Sequence, residues 1–416
     1  MSLKRVVVTG LGAITPVGKN VPEFWENLKN GESGSAPITR FDASKFRTQF
    51  ACEIKNYDPK DYFDRKEVRK LDLFTQFALI SADEALKHSG LDLEQIDHDR
   101  SGVIWGSGIG GIETFGEEVK KFSAGDGTPR FSPFFIPKMI ADIAAGQISI
   151  KYQLRGPNFT TVSACASASH ALIDAANYIR LGKADLFISG GSEAAINQAG
   201  VAGFNAMKAI STRNDSPKTA SRPFDQDRDG FVMGEGGGAL ILEEYEHAVK
   251  RGATIYAEIV GTGMSADAYH LTAPHPSGYG AYKVMEHALE EAGMKPEDID
   301  YINMHGTSTP VGDVVEPKAV VDLFGDHAYK LAISSTKSMT GHLLGAAGGV
   351  EAITAIHAIQ DNLVPPTINL ETVDSQIDQN LDFTIGKAKQ REVRVALSNT
   401  FGFGGHNATI IFKRPD

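Results

Sequence analysis

The chain has 416 residues, 42% apolar and 22% charged, with a formal net charge of −11. That length suits two domains or one large duplicated one, and the acidic balance excludes a general nucleic-acid binder, which needs a basic surface. Two cysteines build no disulfide framework; with no leader-like start and no apolar run of about 18 residues, a cytoplasmic protein without a membrane span is expected.

In chain order, 4–9 reads as a buried strand leading into Gly10-Leu11-Gly12, and Phe24 to Leu28 as the core of a short helix. Arg65 to Lys70 is a basic cluster on an acidic chain. A solvated helix face accounts for it, and so does a docking patch for an acidic partner. A helix is predicted over 71–86. The strand at Val103 to Trp105 runs into Gly106-Ser107-Gly108-Ile109-Gly110-Gly111, which fits G-x-G-x-x-G. That motif belongs to the first strand of a βαβ unit with an acidic residue about 20 positions on. Here an earlier strand opens the chain and no clear second strand follows, so nucleotide binding is rejected. Residues 122–137 are rich in Gly, Pro and Phe, a loop whose aromatics should be covered by the body or by a partner subunit.

Residues 159–191 organise the first half. Thr160 to Val162 is β-branched, Leu172, Ala175, Ala176 and Ile179 recur at helical spacing, and Asp185 to Ser189 returns to a strand. Cys165 therefore stands where a strand ends and a helix begins, where helix N–H groups favour the thiolate. A second half opens near Gly252, with Ile255 to Val260 and Gly261-Thr262-Gly263 echoing the start of the chain. Strands at 299–304 and 331–334, a helix over 343–359 and strands at 393–397 and 408–412 follow. The expectation is an α/β protein of two duplicated halves, 1–250 and 251–416.

Three stretches share one design, a reactive side chain after a predicted strand in a Gly/Ser/Thr-rich loop: Ser163-Ala164-Cys165, Met304-His305-Gly306-Thr307-Ser308-Thr309, and Thr340-Gly341-His342. Active sites of α/β sheets collect at the C-terminal ends of strands, so one Cys and two His can converge. His170 lies five residues after Cys165 on the same helix and should point away from it. His406, in Gly-Gly-His-Asn, stays open. Zinc is a poor alternative, because no Cys-x-x-Cys or His-Glu-x-x-His occurs and each His is isolated.

Together, Ser-Ala-Cys165-Ala-Ser-Ala, His305-Gly-Thr-Ser-Thr-Pro, Lys337-Ser-Met-Thr-Gly-His342 and Asn399-Thr-Phe401-Gly-Phe-Gly-Gly-His-Asn resemble the β-ketoacyl-acyl carrier protein synthases, over essentially the whole chain and most of all the elongating type II enzymes. The resemblance implies a thiolase-like fold with an αβαβα layered core, a homodimer, acyl carrier protein as partner and no cofactor or metal. It implies Cys165 as the acyl-accepting nucleophile and His305 and His342 as stabilisers of the malonyl-derived enolate. Lys337 would support the histidines, with Glu316 as the carboxylate partner, and the backbone N–H groups of Cys165 and Phe401 would hold the oxyanion. Ile109 would line the acyl tunnel, Phe231 and Phe401 would flank the malonyl site with Phe401 as gate, and Thr307 and Thr309 would hold the pantetheine arm. Lys66, Arg69 and Lys70 would dock the carrier protein. Two departures from the family pattern are Ala168, where Gly is usual, and Thr400, where Ser is more frequent. Rival readings are a thiolase, which needs a second Cys that the C-terminal Gly-rich loop lacks, a synthase I-type enzyme, and a non-catalytic chain-length-factor-like subunit, which would lack the nucleophile.

Overall fold

A computed structural model describes residues 3–415. Its frame is a ten-stranded sheet. The first half contributes β1 (Val6–Ile14), β2 (Ser101–Gly106), β3 (Asn158–Thr161), β4 (Leu186–Glu193) and β5 (Gly236–Glu244). The second contributes β6 (Ala257–Ala266), β7 (Tyr301–Asn303), β8 (Ala332–Ser334), β9 (Val395–Gly402) and β10 (His406–Lys413). The order is β8-β7-β9-β10-β6-β1-β5-β4-β2-β3. Counted outward from the centre, each half therefore runs first, fifth, fourth, second, third strand. The directions match too: the inner pairs are antiparallel, and the outer pairs β4–β2–β3 and β9–β7–β8 are parallel. The halves meet where β1 pairs antiparallel with β6, Val7 opposite Glu258 and Val8 opposite Ala257.

Five helices build the layers. The helix α1 (Leu73–Ser89) covers β1 and β5, and α3 (Tyr279–Ala292) covers β6 and β10, with α4 (Gly312–Phe324) beside it. Between the two half-sheets lie α2 (Ser167–Arg180), against β2 and β4, and α5 (Ala347–Asp361), against β5 and β9. This is the αβαβα arrangement of a thiolase-like fold. The residues of α5 explain its position, because a helix apolar all round can only be central: from Ala347 to Ile356 every residue is buried, Glu351 included. Small residues let α2 and α5 touch, since a Cβ on Gly348 would come within 2.0 Å of Ser169 Oγ.

Element boundaries differ from expectation for local reasons. The helix expected from Leu71 starts at Leu73, because Asp72 caps it by accepting from Phe74 N–H. The helix expected from Leu343 starts at Ala347, because Leu344–Ala346 is a single 3-10 turn with Leu344 at φ +49°. The same device precedes α2, where Ala164–Ala166 forms a 3-10 turn with Ala164 at φ +51°. Strand β9 runs on to Gly402 instead of ending at Leu397, because its Ser-Asn-Thr-Phe stretch stays paired with β10, Phe401 opposite Asn407. After the glycine-rich loop at 106–111 comes the helix Ile112–Ser123, not a strand.

Candidate active site

The ends of β3, β7, β8 and β9 deliver their following loops to one cavity of about 410 Å³, lined by Cys165, His305, His342, Thr307, Thr309, Phe231, Phe401, Phe403 and Ile109 among others. Cys165 sits on the turn forced by the left-handed backbone of Ala164, two residues before α2. That turn is braced locally: Ser167 Oγ donates to Ala164 O at 2.7 Å and accepts from Ser163 N–H at 2.9 Å. His342 Nε2 lies 3.0 Å from Cys165 Sγ. His305 stands edge-on to His342, ring centroids 5.3 Å apart and planes at 87°. Phe231 packs edge-on to the other side of His342 at 5.3 Å, and Phe401 tilts against His305 at 5.7 Å. Thr307 and Thr309 hydroxyls are 3.0 Å apart on the cavity wall.

The electrostatics of the site favour neutral groups. Burial, reinforced by the Lys337 ammonium, drives both His305 and His342 well below the ordinary imidazole range. Burial also pushes the Cys165 thiol up to about 12, against the Lys337 charge and a hydrogen bond from the Phe403 N–H. This reverses the expectation of a thiolate stabilised by the helix start: in so dry a pocket, desolvation outweighs the favourable helix end. The resting nucleophile is a thiol with an imidazole nitrogen at hydrogen-bond distance.

One expected pairing moves to another residue. Lys337 pairs with Glu351 of α5, both buried, and not with Glu316. Glu316 is used elsewhere: it accepts from His305 N–H at 2.8 Å, Gly306 N–H at 2.9 Å and Asn399 Nδ2 at 3.2 Å, fixing the loop that carries His305. The N–H directed at the Cys165 sulfur is that of Phe403, two residues beyond Phe401, whose N–H is expected at the oxyanion. Phe401 keeps its place as an aromatic beside His305. Of the other expectations, Lys66, Arg69 and Lys70 are exposed on and just after the short helix Arg65–Val68 and do not line the cavity; the cation that lines it is Lys208.

The remaining candidates resolve simply. His170 turns from the sulfur and meets Ser163 Oγ at 2.6 Å, and His406 is exposed. Cys52 packs behind the site, so close to Gly341 that a Cβ there would lie 2.8 Å from its sulfur, and it does not line the cavity. Ala168 fits because glycines face it; a Cβ on Gly191 would be 2.6 Å from its methyl. Thr400 uses its hydroxyl 2.7 Å from Ser169 Oγ, away from the cavity. Among the described residues no cluster of His, Cys, Asp or Glu could hold a metal ion, and no helix is long and apolar enough to cross a membrane.

Residues 3–248 match the β-ketoacyl synthase N-terminal domain and residues 256–371 its C-terminal domain. The chain is 50% identical to the 3-oxoacyl-[acyl-carrier-protein] synthase 2 of Coxiella burnetii over 414 residues, 100% of this chain and 99% of that protein. Its fold matches a β-ketoacyl synthase from Burkholderia phymatum with a TM-score of 0.92 and 37% identity, covering 99% of this chain and 100% of that one. It also matches a type II polyketide ketosynthase solved with its acyl carrier protein, with a TM-score of 0.90, 32% identity and full coverage of both chains. With a thiolase-like fold, a thiol and two imidazoles on one cavity, and both domain models matched in order, the chain belongs to the β-ketoacyl synthase family of condensing acyltransferases.

Proposed function

We propose that the chain is an elongating 3-oxoacyl-acyl carrier protein synthase of type II, with Cys165, His305 and His342 as its catalytic residues. The observation that carries the assignment is the Cys165–His342 contact of 3.0 Å, with His305 across the same cavity. In the first half-reaction the thiol attacks an acyl thioester on the carrier protein. His342 takes the thiol proton and returns it to the departing pantetheine sulfur, so the acyl group moves to Cys165 and the imidazole ends neutral. The tetrahedral oxyanion is met by the N–H groups of Cys165 and Phe403, each such donor being worth about 10²- to 10³-fold in rate.

In the second half-reaction malonyl carrier protein binds and loses carbon dioxide. The two electrons of the broken carbon–carbon bond form an enolate, whose oxygen the N–H groups of neutral His305 and of neutral His342, its proton shifted from Nδ1 to Nε2 in this step, stabilise. The carbanion attacks the acyl-Cys165 carbonyl and expels the thiolate, which takes up one proton. The product is a β-ketoacyl chain two carbons longer. Decarboxylation supplies the carbanion without a strong base, and two histidines held neutral by burial, with Lys337 adding to it, suit that chemistry better than charged ones.

An acyl carrier protein as partner is supported by the acyl-carrier protein that the relatives' names give and by exposed Lys66, Arg69 and Lys70. A homodimer is supported by the free edge of β3 and by an uncovered apolar face beside it: Phe115, Phe122, Phe131, Ile136, Ile150 and Val162 are 39–70% exposed, with Phe131 stacked on Phe135 at 5.2 Å. We place the enzyme in the cytoplasm, with the halves 1–250 and 251–416 as its working units. The test is intact mass after incubation with long-chain acyl carrier protein, then with malonyl carrier protein. Acyl mass should appear on Cys165 and vanish on malonyl addition; Cys165→Ala should take up none. Acylation of Cys165→Ala would discard the nucleophile.

A further inference from the structure

The glycine-rich stretch 106–111, which fits G-x-G-x-x-G, cradles a carboxyl group, and that group is the protein's own. Glu193, at the end of β4, is fully buried and lines the catalytic cavity. Its carboxylate accepts from the N–H groups of Gly108 at 2.8 Å, Ile109 at 3.2 Å and Gly110 at 3.4 Å, and from Ser107 Oγ at 3.3 Å. From the other half it accepts the N–H of Gly345 at 3.1 Å. Successive N–H groups converging on one point form an anion nest. Space is as tight as the bonding: a Cβ on Gly108 or Gly345 would lie 2.8 or 2.6 Å from Glu193 Oε2. Among the described residues no Lys or Arg pairs with Glu193, and burial raises its carboxyl to about 7 while the N–H bonds oppose the rise.

The duplication shows what this nest corresponds to. Gly345 follows the left-handed Leu344 in the turn before α5, as Cys165 follows the left-handed Ala164 in the turn before α2. The Gly345 N–H of the nest is thus the counterpart, in the other half, of the Cys165 N–H. There the N–H stays open to a substrate oxyanion; here the Glu193 carboxyl occupies it. What it holds is the loop bearing Ile109, which lines the cavity with 38% of its surface exposed, against the segment that begins at His342.

We propose that Glu193 is a positioning residue for acyl-chain selectivity, latching the Gly108–Gly110 loop to Gly345 and so holding Ile109 in the wall against which the acyl chain stops. The inference rests on the acyl-enzyme reading above. In Glu193→Gln an amide NH2 would face N–H donors, the latch would open, and Ile109 could retreat, letting longer chains in.

The experiment is the rate of Cys165 acylation by octanoyl and palmitoyl carrier protein, taken as a kcat/KM ratio. Glu193→Gln should raise the palmitoyl-to-octanoyl ratio about tenfold, the size of one or two lost hydrogen bonds. In an Ile109→Ala background the same change should move the ratio by less than about twofold, since the two act through one wall. A Glu193→Gln protein with a lower Tm but an unchanged ratio would make the carboxylate purely structural and overturn the proposal, as would effects that multiply in the double variant. Should Glu193→Gln fail to fold, Ser107→Ala, which removes one donor, decides: about a threefold rise is expected, and an unchanged ratio overturns the proposal. Failure of the unaltered enzyme to acylate at all would instead strike the acyl-enzyme reading itself.

Discussion

At the scale of single residues, the site depends on keeping two histidines neutral. Lys337 contributes from behind the cavity, paired with Glu351 and absent from the cavity wall. Removing one partner of so buried a pair costs about 3–5 kcal/mol, whereas replacing both with apolar residues of similar size is often neutral. Lys337→Met with Glu351→Leu should therefore fold with little change in Tm. Without the ammonium, protonation of His305 and His342 becomes easier, so their pKa values rise toward the ordinary value of 6.5. A protonated His342 cannot accept the Cys165 proton. Acylation should then lose rate as pH falls through a higher value than in the unaltered enzyme, read from kcat/KM against pH; an unmoved acid limb would mean burial alone keeps the rings neutral. The reactive groups were legible in the sequence, because thiol and imidazole chemistry needs those residue types after strands. Their supports were not: Glu316 and Glu351 look alike on a sequence, and only helix α5 passing behind Lys337 decides which one pairs. Phe401 and Phe403 share one short motif, and the point at which β9 stops pairing with β10 decides which N–H reaches the sulfur.

At the scale of elements, the central helices are set by what they leave out. Gly348→Ala would drive a methyl into Ser169 Oγ and press on the Ser169–Thr400 contact beside the Cys165 turn. Overpacking of this sort costs about 1–3 kcal/mol, so Tm should fall and acylation should slow; an unchanged Tm would mean that α2 and α5 separate freely. The docking helix makes a different prediction. Arg65–Val68 is too short to stand alone and is held by a capping box between Asp64 and Glu67. In the proposed docking role its exposed cations would act on association, not on the cavity, so Lys66→Glu with Arg69→Glu should raise KM for carrier-bound acyl groups with little change in kcat. An unchanged KM would discard the patch. Elements with a strong period, such as α1 and α2, were readable, while the turns that start α2 and α5 were not, since no propensity announces a left-handed Ala164 or Leu344.

At the scale of the whole molecule, the duplication suggested only by Gly10-Leu11-Gly12 and Gly261-Thr262-Gly263 emerges as one strand order used twice. Sequence similarity between the halves is thin because each half kept its hydrophobic pattern and changed its reactive groups. Two layers of sheet around two buried helices leave carboxyls far from water: Glu193, Glu235, Glu316 and Glu351 are each raised from 4.5 to about 7, burial being the largest cause. A carboxyl that binds its proton more tightly when folded stabilises the fold at low pH, and that contribution is lost as pH climbs from about 4.5 through 7. The buried histidines act oppositely. His305, His342 and His357 all lie below 6.5, so the unfolded chain takes up protons that the native state refuses, and stability drops as pH falls below 6.5. Above 6.5 these three histidines are neutral in both states; the carboxyls remain, joined by His247, which its hydrogen bond to Glu243 raises above 6.5 and whose contribution is likewise lost as pH rises. Tm should therefore decline from pH 6.5 to 8, and Glu235→Gln, outside the catalytic cavity, should make the decline shallower. A Tm that stays level or rises over that interval would mean these carboxyls hold their charge in the folded protein, with the surrounding N–H groups and Lys337 and Arg40 offsetting their burial.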